Sequence, residues 1–109
     1  MRDILTRLFS KINKKIKKKN LNSYSYFLYK KGKFYCKKKL IEEYYELISA
    51  FNKKFKRNII HETADFIYHL LVMLRIERIH INEIFLELQK RTTQSGFEEK
   101  KNRKNVRSK

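Results

Sequence analysis

Proline is absent from this sequence, tryptophan is absent, glycine occurs twice and cysteine once. Hairpins and β-corners depend on residues that fix φ or tolerate positive φ, so a turn-rich sandwich or barrel is excluded and an all-helical chain is expected. Cys36 stands alone and can form no internal disulfide, which points to a reducing compartment. The N-terminus lacks the apolar run and small-residue cleavage site of a signal peptide. The longest apolar stretch, Phe66 to Leu74, is interrupted by His69 and is about half of what a membrane-spanning helix needs. A soluble, cytoplasmic protein with no membrane partner is the expectation. Gly-rich phosphate loops, a serine-nucleophile motif and a dinucleotide fingerprint are also missing.

What is abundant is positive charge. The 109 residues carry 28 Lys and Arg against 11 Asp and Glu, for a net charge of +17. The excess lies in residues 1–22 (+7), 30–39 (+6), 53–57 (+4) and 93–109 (+4), whereas 40–52 total −3 and 58–92 total −1. Abundant Lys, Asn, Ile, Phe and Tyr beside scarce Ala, Gly and Pro is the pattern of codon drift in an AT-rich genome. The functional alternative is a field that attracts a polyanion, whether a nucleic acid or the phosphates of a nucleotide.

Apolar spacing places the elements. Ile4, Leu5, Leu8, Phe9, Ile12 and Ile16 predict an amphipathic helix from about Arg2 to Lys18. Ser23 is a candidate N-cap for a short apolar segment, Tyr24 to Tyr29, that stops at Gly32. A long helix is expected over about Phe34 to Phe55, with Leu40, Tyr44, Leu47, Ile48 and Phe51 on one side. Another runs from about Ile59 to Arg75, mostly buried because Phe66 to Leu74 is apolar nearly all round, and a last one follows Asn82 as N-cap to about Arg91. These elements predict one domain over residues 1–95, a four- to five-helix bundle, followed by a basic, flexible tail over 96–109. So few helices, one of them apolar on all sides, predict a homodimer that completes the core.

Two acidic clusters carry the chemistry. Glu42, Glu43 and Glu46 occupy an arc of about 100° on one long helix, and Glu62 and Asp65 lie about 60° apart on the next. Helices joined by a short connection pack antiparallel, so these faces can meet. Crowded carboxylates repel unless a hard divalent cation neutralises them, and Mg²⁺ takes oxygen ligands of this kind together with substrate phosphate. A solvated acidic face is the ordinary alternative. It is weakened by the apolar surroundings of Glu62, where Lys and Arg are scarce and a buried carboxylate needs a cation or strong donors. His69, one turn after Asp65, reads as a structural or substrate-contacting residue, since no second His or Cys stands at zinc spacing. His61 and His80 read as surface residues, and Cys36 as inert.

The order Glu-Glu-x-x-Glu, then Glu-x-x-Asp after fifteen residues, resembles the signature of the MazG-like all-α nucleoside triphosphate pyrophosphohydrolases. The run Glu62-Thr63-Ala64-Asp65-Phe66-Ile67-Tyr68-His69-Leu70-Leu71-Val72 is similar to the Glu-x-Ala-Asp-x-x-Tyr-His-x-x-Val segment of the phosphoribosyl-ATP pyrophosphohydrolase family. Ser23-Tyr24-Ser25 resembles that family's Ser-Tyr-Thr, and Lys38-Lys39-Leu40-Ile41-Glu42-Glu43 its Lys-Lys-x-Gly-Glu-Glu. Gly32 falls where the family has glycine, and Leu88, Arg91 and Gln94-Ser95-Gly96 match the ending of some bacterial members. Ile41 replaces the family's Gly and Tyr44 its usual Ala, beside the carboxylates, while all five acidic positions are filled.

The resemblance implies the all-α pyrophosphatase fold and Mg²⁺-dependent hydrolysis of phosphoribosyl-ATP to phosphoribosyl-AMP and pyrophosphate, the second step of histidine biosynthesis. Catalysis would rest on Glu42, Glu43, Glu46, Glu62 and Asp65. Glu43, Glu46, Glu62 and Asp65 would hold the metal, with Glu42 a further ligand or the base that orients water. Lys38 and Lys39 would contact phosphates, and Ser23, Tyr24, Tyr68 and His69 would line the nucleotide pocket. The lysines of residues 11–19 read as a solvated face of little weight in the chemistry. The competing readings are a house-cleaning nucleotide pyrophosphohydrolase of the same fold and, less favoured, a basic helical protein that binds nucleic acid through Lys14 to Lys19.

Overall fold

A computed structural model describes residues 3–93. Within them lie five helices and no strand: α1 (Ile4–Lys17), α2 (Tyr24–Lys31), α3 (Lys33–Lys53), α4 (Lys56–Ile76) and α5 (Ile81–Arg91). The all-α expectation holds. The 96–109 tail lies outside the described residues.

The chain divides after Ile79 into two units, α1 to α4 and the segment from His80 that carries α5. In the first unit, Phe9, Ile12 and Ile16 of α1, Leu28 of α2, Cys36 and Ala50 of α3, and Leu71 and Val72 of α4 are buried and form the core. The α1 residues recur at three- and four-residue intervals, which puts them on one face and leaves the lysines on the other. Ser23 caps α2, its hydroxyl accepting the Tyr26 amide at 3.2 Å. Gly32 has φ 96°, a conformation that suits a residue without Cβ, and separates α2 from α3.

The helical hairpin α3–α4 is the frame of the molecule. Lys54 and Phe55 alone connect the two helices, and Lys54 closes α3 in the left-handed region at φ 62°. This turn is tighter than the sequence suggested: α3 stops two residues before the expected Phe55 and α4 starts at Lys56 rather than Ile59. A lysine can take the left-handed cap that glycine usually takes, so composition left no marker of the boundary. A 2.8 Å ion pair from Lys33, at the start of α3, to Glu77, just past α4, fits antiparallel packing.

Three expectations need correction. The apolar stripe predicted along α3 is divided: Leu40 and Leu47 are half-buried, whereas Tyr44, Ile48 and Phe51 are exposed, together with Ile41 and Tyr45. Helix α4 is less enclosed than its apolar run implied, with Leu70 exposed and Phe66, Ile67 and Tyr68 half-buried. In the second unit the N-cap of α5 is His80, not Asn82. Its Nδ1 accepts the Asn82 amide at 3.0 Å, and the Glu83 carboxylate accepts the His80 amide at 2.9 Å. This reciprocal cap gives a structural role to a histidine that read as mere surface.

Candidate active site

The carboxylates meet where α3 faces α4. Glu43 sits on the inner side of α3 with Cys36 and Ala50 and is only 7% exposed, although the sequence pointed to α4 for the buried carboxylate. One ligand atom from each of Glu43, Glu46 and Glu62 lies within 4.8 Å of the others, and His61, Glu62 and Asp65 form a second such group. Glu62 belongs to both, so the two groups are continuous. Glu43 Oε2 and Glu62 Oε1 are buried and have no hydrogen-bond partner among the described residues. Burial first, then hydrogen bonding with Glu46 and the charges of Glu46 and Asp65, push the Glu43 carboxyl up to about 7 despite the opposing charge of Lys39.

Glu42 lies outside both groups. It is exposed and pairs with Lys39 at 3.3 Å, and that contact raises the Lys39 ammonium above its ordinary value. Lys38, one residue away on the helix, is exposed. His61, set aside as surface in the sequence, places Nε2 3.4 Å from Asp65 Oδ2. The i, i+4 spacing of His61 and Asp65 was the available signal. Ile41 and Tyr44, which replace smaller family residues, are 57% and 49% exposed, so they do not crowd Glu43.

Beside the carboxylates lies an aromatic corner. The Tyr24 ring stacks on Phe27 and Tyr68 at centroid distances of 5.9 and 6.0 Å and meets His69 edge-on at 5.8 Å. His69 Nδ1 lies 2.9 Å from the Asp65 carbonyl, which can only accept, so Nδ1 carries a proton. Nε2 and the Tyr24 hydroxyl are hydrogen-bonded at 3.2 Å. The Ser25 and Tyr68 hydroxyls share a hydrogen bond. Burial raises both tyrosines above their ordinary value, so both stay protonated at neutral pH. Of the nucleotide-pocket residues expected from sequence, Tyr24, Tyr68 and His69 are brought together, and Ser23, the N-cap of α2, lines a pocket with Tyr24 and Tyr68 that His69 does not line. Cys36 is buried with its thiol donated to the Leu28 carbonyl at 3.1 Å, in keeping with an inert role.

A cluster of acidic side chains on a helical hairpin thus stands beside stacked tyrosines. The family model of phosphoribosyl-ATP pyrophosphohydrolase matches residues 5–92. The chain belongs to the phosphoribosyl-ATP pyrophosphohydrolase family. A phosphoribosyl-ATP pyrophosphatase from Ruthia magnifica is 39% identical over 105 residues, covering 96% of this chain and all of that protein. Another from Allorhizobium ampelinum is 50% identical over 66 residues, 61% of this chain and 64% of the relative. A histidine biosynthesis bifunctional protein HisIE from Helicobacter hepaticus is 45% identical over 83 residues, 76% of this chain and 36% of that larger protein. No solved structure matches. Membership makes this chain one of a family of hydrolases, and every residue of the carboxylate groups and of the aromatic corner lies inside the matched span. No helix among the described residues is long and apolar enough to cross a membrane.

Proposed function

We propose that this chain hydrolyses phosphoribosyl-ATP to phosphoribosyl-AMP and pyrophosphate, the second step of histidine biosynthesis, in the cytoplasm and with Mg²⁺. The observation that carries the reading is the meeting of Glu43, Glu46 and Glu62, each with a carboxylate oxygen within 4.8 Å of the others, where Glu43 and Glu62 also have buried oxygens without a partner among the described residues, in a chain of this family. Buried acceptors without donors suit a hard cation. Glu43, Glu46, Glu62 and Asp65 would hold it. When bound, it would neutralise triphosphate oxygens and lower the pKa of a coordinated water.

The chain's own groups supply the rest. Lys39 holds Glu42 at the edge of the carboxylates and leaves it placed to orient water, and Lys38 and Lys39 offer point charges to phosphates. Tyr24 and Tyr68 give a flat wall for the nucleotide, held in register by His69 and by Ser25. Breaking the anhydride beyond the α-phosphate leaves negative charge on the departing pyrophosphate, beside this basic edge. The exposed apolar face of α3 supports a homodimer, since Ile41, Tyr44, Tyr45, Ile48 and Phe51 share one side of that helix with no cover from the described chain.

Pyrophosphate release from phosphoribosyl-ATP, measured beside ATP and other nucleoside triphosphates with and without Mg²⁺, tests the proposal. Metal-dependent release with phosphoribosyl-ATP strongly preferred is the expected result. Equal turnover of ordinary nucleoside triphosphates would replace it with the house-cleaning reading.

A further inference from the structure

A pocket of about 350 Å³ opens between α1, the start of α2 and Tyr68 of α4, within the range of about 300–1,000 Å³ typical of small-molecule sites. Its apolar floor comes from Leu8 and Ile12, and Tyr24 and Tyr68 form the wall it shares with the aromatic corner. Lys11 and Lys15, one helical turn apart, line its α1 side. No acidic residue lines the pocket, and neither lysine has an ion-pair partner among the described residues. Two like charges aimed at one apolar-floored pocket without a counter-charge call for an anionic group from outside the chain. The other lysines of α1 are placed differently, since Lys14 and Lys17 do not line the pocket.

The pocket continues the candidate site along α4. Tyr68 and Asp65 are three residues apart, about 4.5 Å along the helix axis, and Glu62 is about 9 Å from Tyr68. If the triphosphate lies at the carboxylates and the purine at the tyrosines, whatever extends past the purine reaches Lys11 and Lys15. Phosphoribosyl-ATP differs from ATP in having a second sugar, ending in a second phosphate. We propose that Lys11 and Lys15 bind the terminal phosphate of that 5-phosphoribosyl arm and so separate this substrate from ATP. The inference rests on the substrate reading above and gives a role to two lysines that the sequence placed on an idle solvated face.

The test compares binding of phosphoribosyl-AMP, which keeps the arm, with AMP, which lacks it, by titration calorimetry without metal. Wild-type protein should bind phosphoribosyl-AMP at least tenfold more tightly, and K11Q/K15Q should bring the ratio close to one. K11R/K15R should restore most of it, and K14Q/K17Q should leave it unchanged. Glutamine and lysine have similar helix propensity, and a thermal melt of each variant confirms that the fold is kept. A ratio preserved in K11Q/K15Q, absent from wild type, or lost equally in K14Q/K17Q overturns the assignment. Pyrophosphate release by wild type distinguishes the two levels. Equal efficiency on ATP and phosphoribosyl-ATP defeats the substrate reading and the pocket with it, whereas a preference for phosphoribosyl-ATP with any of the three binding outcomes defeats the pocket alone.

Discussion

Glu43 on α3 and Glu62 on α4 bring carboxylate oxygens within 4.8 Å of each other, and each residue also has a buried oxygen without a hydrogen-bond partner among the described residues. No ammonium or guanidinium among the described residues hydrogen-bonds either of these oxygens. Carboxylates this close repel one another, and a proton on Glu43 or a bound cation relieves that repulsion.

Glu46→Gln and Glu62→Gln should each lower pyrophosphate release by orders of magnitude, because they keep shape while removing charge from the group that would hold metal. Thermal melts without divalent ion should show stability equal to or above wild type, since repulsion is relieved. Wild-type turnover in both variants would return the cluster to an ordinary solvated face, where substitutions shift little more than about 0.5 kcal/mol.

The raised Glu43 carboxyl makes metal-free stability depend on pH. Between its ordinary 4.5 and about 7, the folded chain holds a proton that the unfolded chain has released. Stability therefore falls as pH rises through that window and levels off above it. Chemical denaturation from pH 4 to 8 in a chelator should show this decline in wild type and a flatter profile in Glu43→Gln. A difference between the two that grew as pH fell would refute the shift.

Tyr24→Phe removes the hydroxyl hydrogen-bonded to His69 but keeps the ring against Phe27 and Tyr68. The expected cost is about 1 kcal/mol of stability, with KM raised severalfold and kcat little changed, if the contact orders the proposed nucleotide wall. Steady-state kinetics beside a denaturant melt would check both. A fall in kcat at constant KM would instead move Tyr24 into the chemical step.

The uncovered side of α3 predicts a homodimer at micromolar concentration by sedimentation equilibrium. Ile48→Asp, at the middle of that face, should shift the population to monomer without unfolding the helices. A wild-type monomer under these conditions would dismiss the homodimer.

The fold class was legible because missing Pro and Gly removed the β alternatives and apolar spacing drew the helices. The acidic partners Glu43, Glu46, Glu62 and Asp65 could be read from helical spacing, yet spacing could not rank their burial. Which side of α3 turns inward depends on α4, so Glu43 rather than Glu62 proved the most enclosed, and Glu42 fell to Lys39. Helix ends were the poorest reading. Lys19, Lys54 and Arg78 all take positive φ where glycine would be the usual sign, and His80 caps α5 in place of the expected Asn82. The pocket at Lys11 and Lys15 was illegible for another reason: a lysine beside an apolar stripe has the same pattern whether it faces solvent or a cavity.

The two-residue link at Lys54 and Phe55 also orders events in time. Glu43 and Glu62 are nineteen positions apart, whereas the Tyr24–His69 and Ser25–Tyr68 contacts span 45 and 43. Closing a loop costs about 0.6 kcal/mol more for each doubling of its length, and contacts near in sequence form sooner. The carboxylates of the hairpin close the shorter loop and are expected to meet first, whereas the contacts of Tyr24 and Ser25 with α4 close loops more than twice as long.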